Sequence, residues 1–197
     1  MKAVFIALLA APLLAGCLIV NETAATPRAT APASASAQAE ASERGPIDLR
    51  RTTLLVRDMD RSLAFYEGAL GLEKYYDQII TSRDGTSQSH LVLLRANDPN
   101  IGVLGLWELE DAASAPAPVT SSDLTAGEIV LLFNTSELDT VFPAAAASDG
   151  ATVISPPTYR EYPGDGVTYE VMVSMLRDPD GHIVELNNRL SPPLEWD

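Results

Sequence analysis

The chain is short of several residues that would announce a particular chemistry. It has one cysteine, Cys17, so no intrachain disulfide can form. It has two histidines, His90 and His182, few for the His-based ligand sets that zinc and iron normally recruit. Basic residues are scarce, with 13 Lys and Arg against 27 Asp and Glu and a net charge of -14. From Gly45 onward there are 24 acidic and 10 basic residues, so the acidity belongs to the folding part of the chain. Phosphate contacts need a basic face, which excludes nucleic-acid binding. An anionic membrane surface would repel the same charge. The apolar run from Ala3 to Leu14 is too short to span a bilayer comfortably.

What is present fits an ordinary globular protein. A length of 197 residues with 46% hydrophobic content suits one domain, or two small modules that share a core.

The beginning, "MKAVFIALLAAPLLAGC", has a positive start at Lys2 and then a short apolar run, as a secretory signal peptide does. It ends in Leu14-Ala15-Gly16-Cys17, which resembles the bacterial lipoprotein lipobox. That resemblance implies a signal peptide over 1–16 and acylation of Cys17, which would anchor the chain to a membrane of the cell envelope, facing the periplasm. Residues 17–45 are rich in Ala, Ser, Thr and Pro, and Asn21 to Gly45 has no bulky apolar side chain. Such a segment cannot bury enough surface to fold and reads as a flexible tether. The folded unit is expected over 46–197.

Its elements come in two rounds. "DLRRTTLLVRD" alternates apolar and polar residues around Leu54 and Val56, as a half-buried strand does. "MDRSLAFYEGALGL" predicts a helix capped by Asp58 or Asp60 and ended by Gly71. Three strands follow, "EKYYDQIIT", "SHLVLLRA" and "IGVLGLWEL", separated by "SRDG" and "NDPN" turns. This first module covers 46–110, and a Pro- and Ser-containing linker covers 111–126. The second module, 127–190, repeats the order. Its parts are the strand "GEIVLLFN", a helix capped by Ser136 and closed by Gly150, a strand broken by Pro156 and Pro157, and a hairpin across "PDG". Pro143 is tolerable only near the start of its helix, so that helix must kink or begin late. The repeat of about 75 residues is the main architectural signal.

"TLLVRDMDRSLAFYEGALGLE" and the later "RDPDGHIVEL" resemble the vicinal oxygen chelate superfamily, the group of glyoxalase I, bleomycin-resistance proteins and extradiol dioxygenases. The resemblance covers roughly Asp48 to Arg189. It implies an α+β fold in which two βαβββ modules form a cup-shaped mixed sheet. In metal-using members, the first and fourth strands of each module supply one ligand apiece, usually His, Glu or Gln. Carried onto this chain, those places are Arg51 and Gly105 in the first module and Glu128 and Glu185 in the second. Arg cannot ligate a cation and glycine has no side chain, so Glu128 and Glu185 alone remain as metal ligands. The expected cofactor is therefore none, or a weakly held divalent ion.

Strand alternation puts Glu185 on one face with Ile183 and Asn187, and leaves Val184 and Leu186 to the helix layer. By the same reasoning the expected ligand-binding cup holds Arg51, Trp107, Glu128 and Glu185, with Arg51 standing in for the metal as counter-charge to the carboxylates. Gly105 is expected to leave a gap beside Trp107. His90 is expected at the rim and His182 in solvent. The loop "REYPGDG", flanked by Tyr159, Tyr162 and Tyr169, either covers the mouth or is simply a long hairpin turn.

Three functions compete. One is a metal-free binder of a small organic molecule, like the resistance-type members. Another is a metal-dependent lyase, isomerase or dioxygenase working through Glu128 and Glu185. The third is a structural or interaction module with a filled cup. Half of the glyoxalase I ligand set is missing, and an export signal would remove the protein from the cytosolic thiol pool. The implied partners are a small organic ligand and the membrane through the lipid anchor; members of the resembled superfamily often pair as homodimers, a choice this sequence leaves open.

Overall fold

In the computed structural model, the described residues are 47, 49–98 and 101–193. The signal peptide, Cys17 and the tether lie outside them. Among the described residues no helix is long and apolar enough to cross a membrane.

The first module runs β1 (Arg51–Val56), α1 (Met59–Leu63), β2 (Glu73–Thr81), β3 (Gln88–Arg95) and β4 (Val103–Leu109). The second runs β5 (Val130–Asn134), α2 (Leu138–Ala146), β6 (Thr152–Pro163), β7 (Thr168–Arg177) and β8 (Ile183–Ser191). Each module forms one four-stranded mixed sheet, ordered β1-β4-β3-β2 and β5-β8-β7-β6. In each sheet the first strand pairs parallel with the last, and the others pair antiparallel.

Alternation decides which face is buried. Leu54, Val56, Val92, Leu94, Leu104, Leu106, Leu176, Val184 and Leu186 form one core with Met59, Phe65 and Tyr66 of the first helical segment and Leu138 and Ala145 of α2. The residues between them point to the opposite face, where Leu55, Trp107, Val130 and Leu132 stay exposed.

The helices show two departures from simple expectation. Asp58 caps α1, its side chain accepting from the Arg61 N–H at 3.0 Å. The helix then widens into a π-helical segment, Ala64–Ala69, which brings both Phe65 and Tyr66 into the core. In the second module the helix begins late, at Leu138, with Glu137 rather than Ser136 at its cap position. It runs past Pro143 to Ala146.

Pro156 and Pro157 do not break β6. Register shifts between Val153 and Thr158 absorb them as bulges. β6 is an edge strand, where a missing N–H can face away from the ladder.

Candidate functional site

The two modules are pinned together by the turn between β7 and β8. Tyr66 OH donates to Asp178 Oδ2 at 2.8 Å in the buried core. Asp178 also accepts the backbone N–H groups of Asp180 and His182 at 2.9 and 2.8 Å. Asp180 in turn accepts from the Ser62 hydroxyl at 3.1 Å and the Arg57 N–H at 3.2 Å, and lies 3.5 Å from the Arg61 guanidinium. Burial, together with the charge of Asp178, raises the Tyr66 phenol well above its ordinary value. Burial and the same neighbour raise Asp180. His182 is not a solvated turn residue, as its position suggested. Its Nδ1 lies 3.0 Å from Asp178 Oδ2. Burial by itself would lower its pKa, but the hydrogen bond and charge of Asp178 outweigh this and raise it.

The positions expected to form the cup separate into different places. Glu128 lies two residues before β5 begins and takes no part in its pairing with β8. Its Oε1 accepts from Arg177 Nη1 at 2.7 Å and its Oε2 from the Thr125 N–H at 2.6 Å. Those bonds, Arg177's first, hold its carboxyl below the usual range. Arg177 is 1% exposed and also donates to the carbonyls of Ser121, Asp123 and Gly181. It therefore clamps the linker onto the β7–β8 turn. Sequence reasoning missed this residue. The available signal was an arginine closing the mostly apolar run Val171–Leu176, where a buried charge demands partners.

Arg51 makes no ion pair with Glu128 or Glu185. It lies exposed at the start of β1, its methylenes packed toward Gly105. Gly105 leaves no gap for a ligand. A Cβ there would sit 2.8 Å from Thr53 Oγ1 and 3.4 Å from Arg51 Cδ, because Thr53 pairs directly with Gly105. Trp107 lines another cavity, of about 580 Å³, at the β3–β4 end of the first sheet with Ile80, Ser89 and Glu110. His90 stays on the surface, its Nε2 2.6 Å from Asp77 Oδ1.

The internal symmetry identifies the true counterpart of Arg51. Arg51 opens β1 and pairs with Val103, the first residue of β4, and Gly105 is the third. Val130 opens β5 and pairs with Ile183, the first residue of β8, and Glu185 is the third. The four equivalent places are thus Arg51, Gly105, Val130 and Glu185. Glu128 is displaced from Glu185's cross-strand neighbour, Leu132, by four residues, about 13 Å along a strand. One oxygen donor, a guanidinium, an alkyl group and a bare backbone do not fit a divalent ion, which needs several oxygen or imidazole ligands. Among the described residues no three His, Cys, Asp or Glu side chains gather into a metal-holding group.

Glu185 instead lines a cavity of about 500 Å³ on the exposed face of the second sheet, with Leu132, Tyr162, Tyr169, Val171, Asn187 and Arg189 among its walls. Glu185 Oε1 accepts from Asn187 Nδ2 at 2.7 Å. The Arg189 guanidinium lies 4.5 Å above the Tyr169 ring, an attractive placement of a cation on an aromatic face. Tyr162 and Tyr169 face each other across the β6–β7 ladder, and these two of the three tyrosines beside the "REYPGDG" loop border this cavity, while Tyr159 donates to Glu161 Oε1 at 2.8 Å.

A family profile described as the Glyoxalase/Bleomycin resistance protein/Dioxygenase superfamily matches residues 48–186. The chain belongs to that superfamily. Among solved structures, a glyoxalase family protein from Bacillus cereus is similar at 13% identity with a TM-score of 0.57. The match covers 76% of this chain and 99% of that one. A superfamily enzyme from Burkholderia phytofirmans matches at 20% identity and a TM-score of 0.47, over 73% of this chain and 100% of that one. At 13% identity the likeness to the Bacillus cereus protein establishes the fold alone. No curated protein matches the chain.

Proposed function

We propose that this superfamily member binds a small organic molecule without a metal, in the cavity over Glu185, while tethered to a membrane of the cell envelope. The observation that carries the reading is the donor set. At the four places where metal-using relatives would supply ligands, only Glu185 offers an oxygen, yet it lines a cavity of about 500 Å³. That volume lies within the range of small-molecule sites, roughly 300–1,000 Å³. Its walls combine aromatic rings with a few polar groups, as such sites do. Tethering is supported by the signal-like start and the Leu-Ala-Gly-Cys sequence ending at Cys17.

The test has two parts. A small-molecule library is screened for compounds that raise the melting temperature, since a ligand that prefers the folded state stabilises it. Elemental analysis of the purified protein runs alongside. Hits that fail to stabilise a Glu185→Gln variant support the reading. Near-stoichiometric metal that disappears in that variant overturns it and restores a metal-dependent enzyme. For the tether, Cys17→Ser should move the protein from the membrane fraction to the soluble fraction, and unchanged partition would refute lipid anchoring.

A further inference from the structure

Strand β8 presents an ordered row of three polar side chains to the cavity. Alternation turns Glu185, Asn187 and Arg189 to the exposed face, while Val184 and Leu186 enter the core. Successive members of the row stand about 6.6 Å apart along the strand. The order is anion, amide, cation.

The orientation of the amide is determined. Its Nδ2 donates to Glu185 Oε1 at 2.7 Å. Turning it over would set two oxygens against each other. Asn187 is only 7% exposed, and its Oδ1 is a buried acceptor that receives no hydrogen bond. Buried polar groups in native proteins are nearly always paired, so an orphan at a cavity wall marks a place for a donor from outside. Arg189 shows the complementary lack. Its Nε is buried without an acceptor, and it forms no ion pair with any described carboxylate. Its one marked contact is the Tyr169 ring.

A molecule that satisfies the row must donate at Glu185, donate again at Asn187, and accept at Arg189. We infer that the cavity takes a short zwitterion of dipeptide size, its ammonium at Glu185, its amide N–H at Asn187 Oδ1 and its carboxylate at Arg189. The inference rests on the proposed small-molecule reading of this cavity. A single amino acid has no amide N–H for Asn187 Oδ1 to accept. A dianion would meet Glu185, and a simple organic cation would leave Arg189 unmatched. Leu132 and Val171 provide apolar surface, and Tyr162 and Tyr169 provide flat walls for small side chains.

The test is titration calorimetry with alanyl-alanine, its N-acetyl derivative, its C-terminal amide, and free alanine. Alanyl-alanine should bind, and each of the other three should bind at least tenfold more weakly. Arg189→Met should abolish the preference for the dipeptide over its amide and leave the preference over the N-acetyl form. Glu185→Gln should do the reverse. Circular dichroism and melting temperature verify that both variants fold. Equal binding of blocked and free forms overturns the inference, as does a preference that neither substitution moves. A fragment screen by ligand-observed NMR, repeated on Val171→Trp to fill the cavity, separates the two proposals. Cavity-dependent fragments without dipeptide binding overturn the zwitterion and keep the binding site. No fragment and no dipeptide binding overturns both.

Discussion

Arg177 Nη1 lies 2.7 Å from Glu128 Oε1, and this ion pair joins the start of the second module to the end of β7. Glu128 is thereby removed from the cavity that Glu185 lines. The guanidinium is 1% exposed and satisfies three linker and turn carbonyls besides the carboxylate. Arg177→Met would leave all four acceptors without their donor. A buried acceptor left without its hydrogen bond costs about 1–3 kcal/mol. Urea unfolding should show a loss of that order. Glu128→Gln keeps one hydrogen-bond acceptor at a partly exposed site, and should lower stability far less than Arg177→Met does. A Glu128→Gln variant that loses ligand binding with its stability intact would argue against this structural assignment.

His182 gives the fold a pH dependence of known sign. Burial opposes the shift, but Asp178, assisted by Asp180, raises the folded pKa above the unfolded value near 6.5. The native state then binds more protons than the unfolded state as His182 titrates. The stabilisation is full below about pH 6.5 and is lost as pH rises through the folded value. Between pH 6 and pH 8 the melting temperature should fall more steeply than in a His182→Gln variant. Parallel curves for the two proteins would show that the Asp178 contact contributes no net stability. Asp180 is retained in both proteins, so its own titration largely cancels in the comparison.

Gly105 faces a side chain, not a ligand. A Gly105→Ala methyl would meet Thr53 Oγ1 at 2.8 Å and Thr53 Cγ2 at 3.2 Å. Overpacking of this kind costs about 1–3 kcal/mol. Thr53→Ala removes both contacts, so the double variant should recover most of that loss, a coupling that a double-mutant cycle measures. Additive effects would mean the alanine is accommodated elsewhere.

The register of β5 makes a prediction about metals. Val130, not Glu128, stands where symmetry with Arg51 requires a ligand. On that equivalence, an Arg51→His, Val130→His variant should add two imidazoles to Glu185, a donor set suited to zinc or nickel. Calorimetric titration should detect binding of either ion, and Glu185→Gln in that background should weaken it at least tenfold. Arg51→His combined with Glu128→His should bind far more weakly. If the two double variants bind alike, the assignment of equivalent positions fails.

Much of this protein was legible in its sequence. The two rounds of strand, helix and three strands follow from hydrophobic alternation and turn residues, which are local and periodic. Asp58 as a helix cap and the inward Val184 and Leu186 follow from the same local rules. The late start of α2 was among the readings that Pro143 left open. The superfamily follows from two motifs in order.

The site was less legible, because it depends on register and on long-range partners. Glu128 is near β5 in sequence, and only the strand's first paired residue, Val130, shows that it falls short of the sheet. Arg177 reads as the end of a strand until the linker folds back and supplies the carbonyls of Ser121 and Asp123. Asp178 and Asp180 read as turn formers, yet Tyr66 and Ser62 reach them across more than a hundred residues. Sequence by itself determined the elements, their order and the face that each strand buries, since those depend on neighbours one to four residues away. Tertiary structure alone decided which charges pair, which positions are equivalent and which cavity Glu185 lines, since those depend on how two sheets meet.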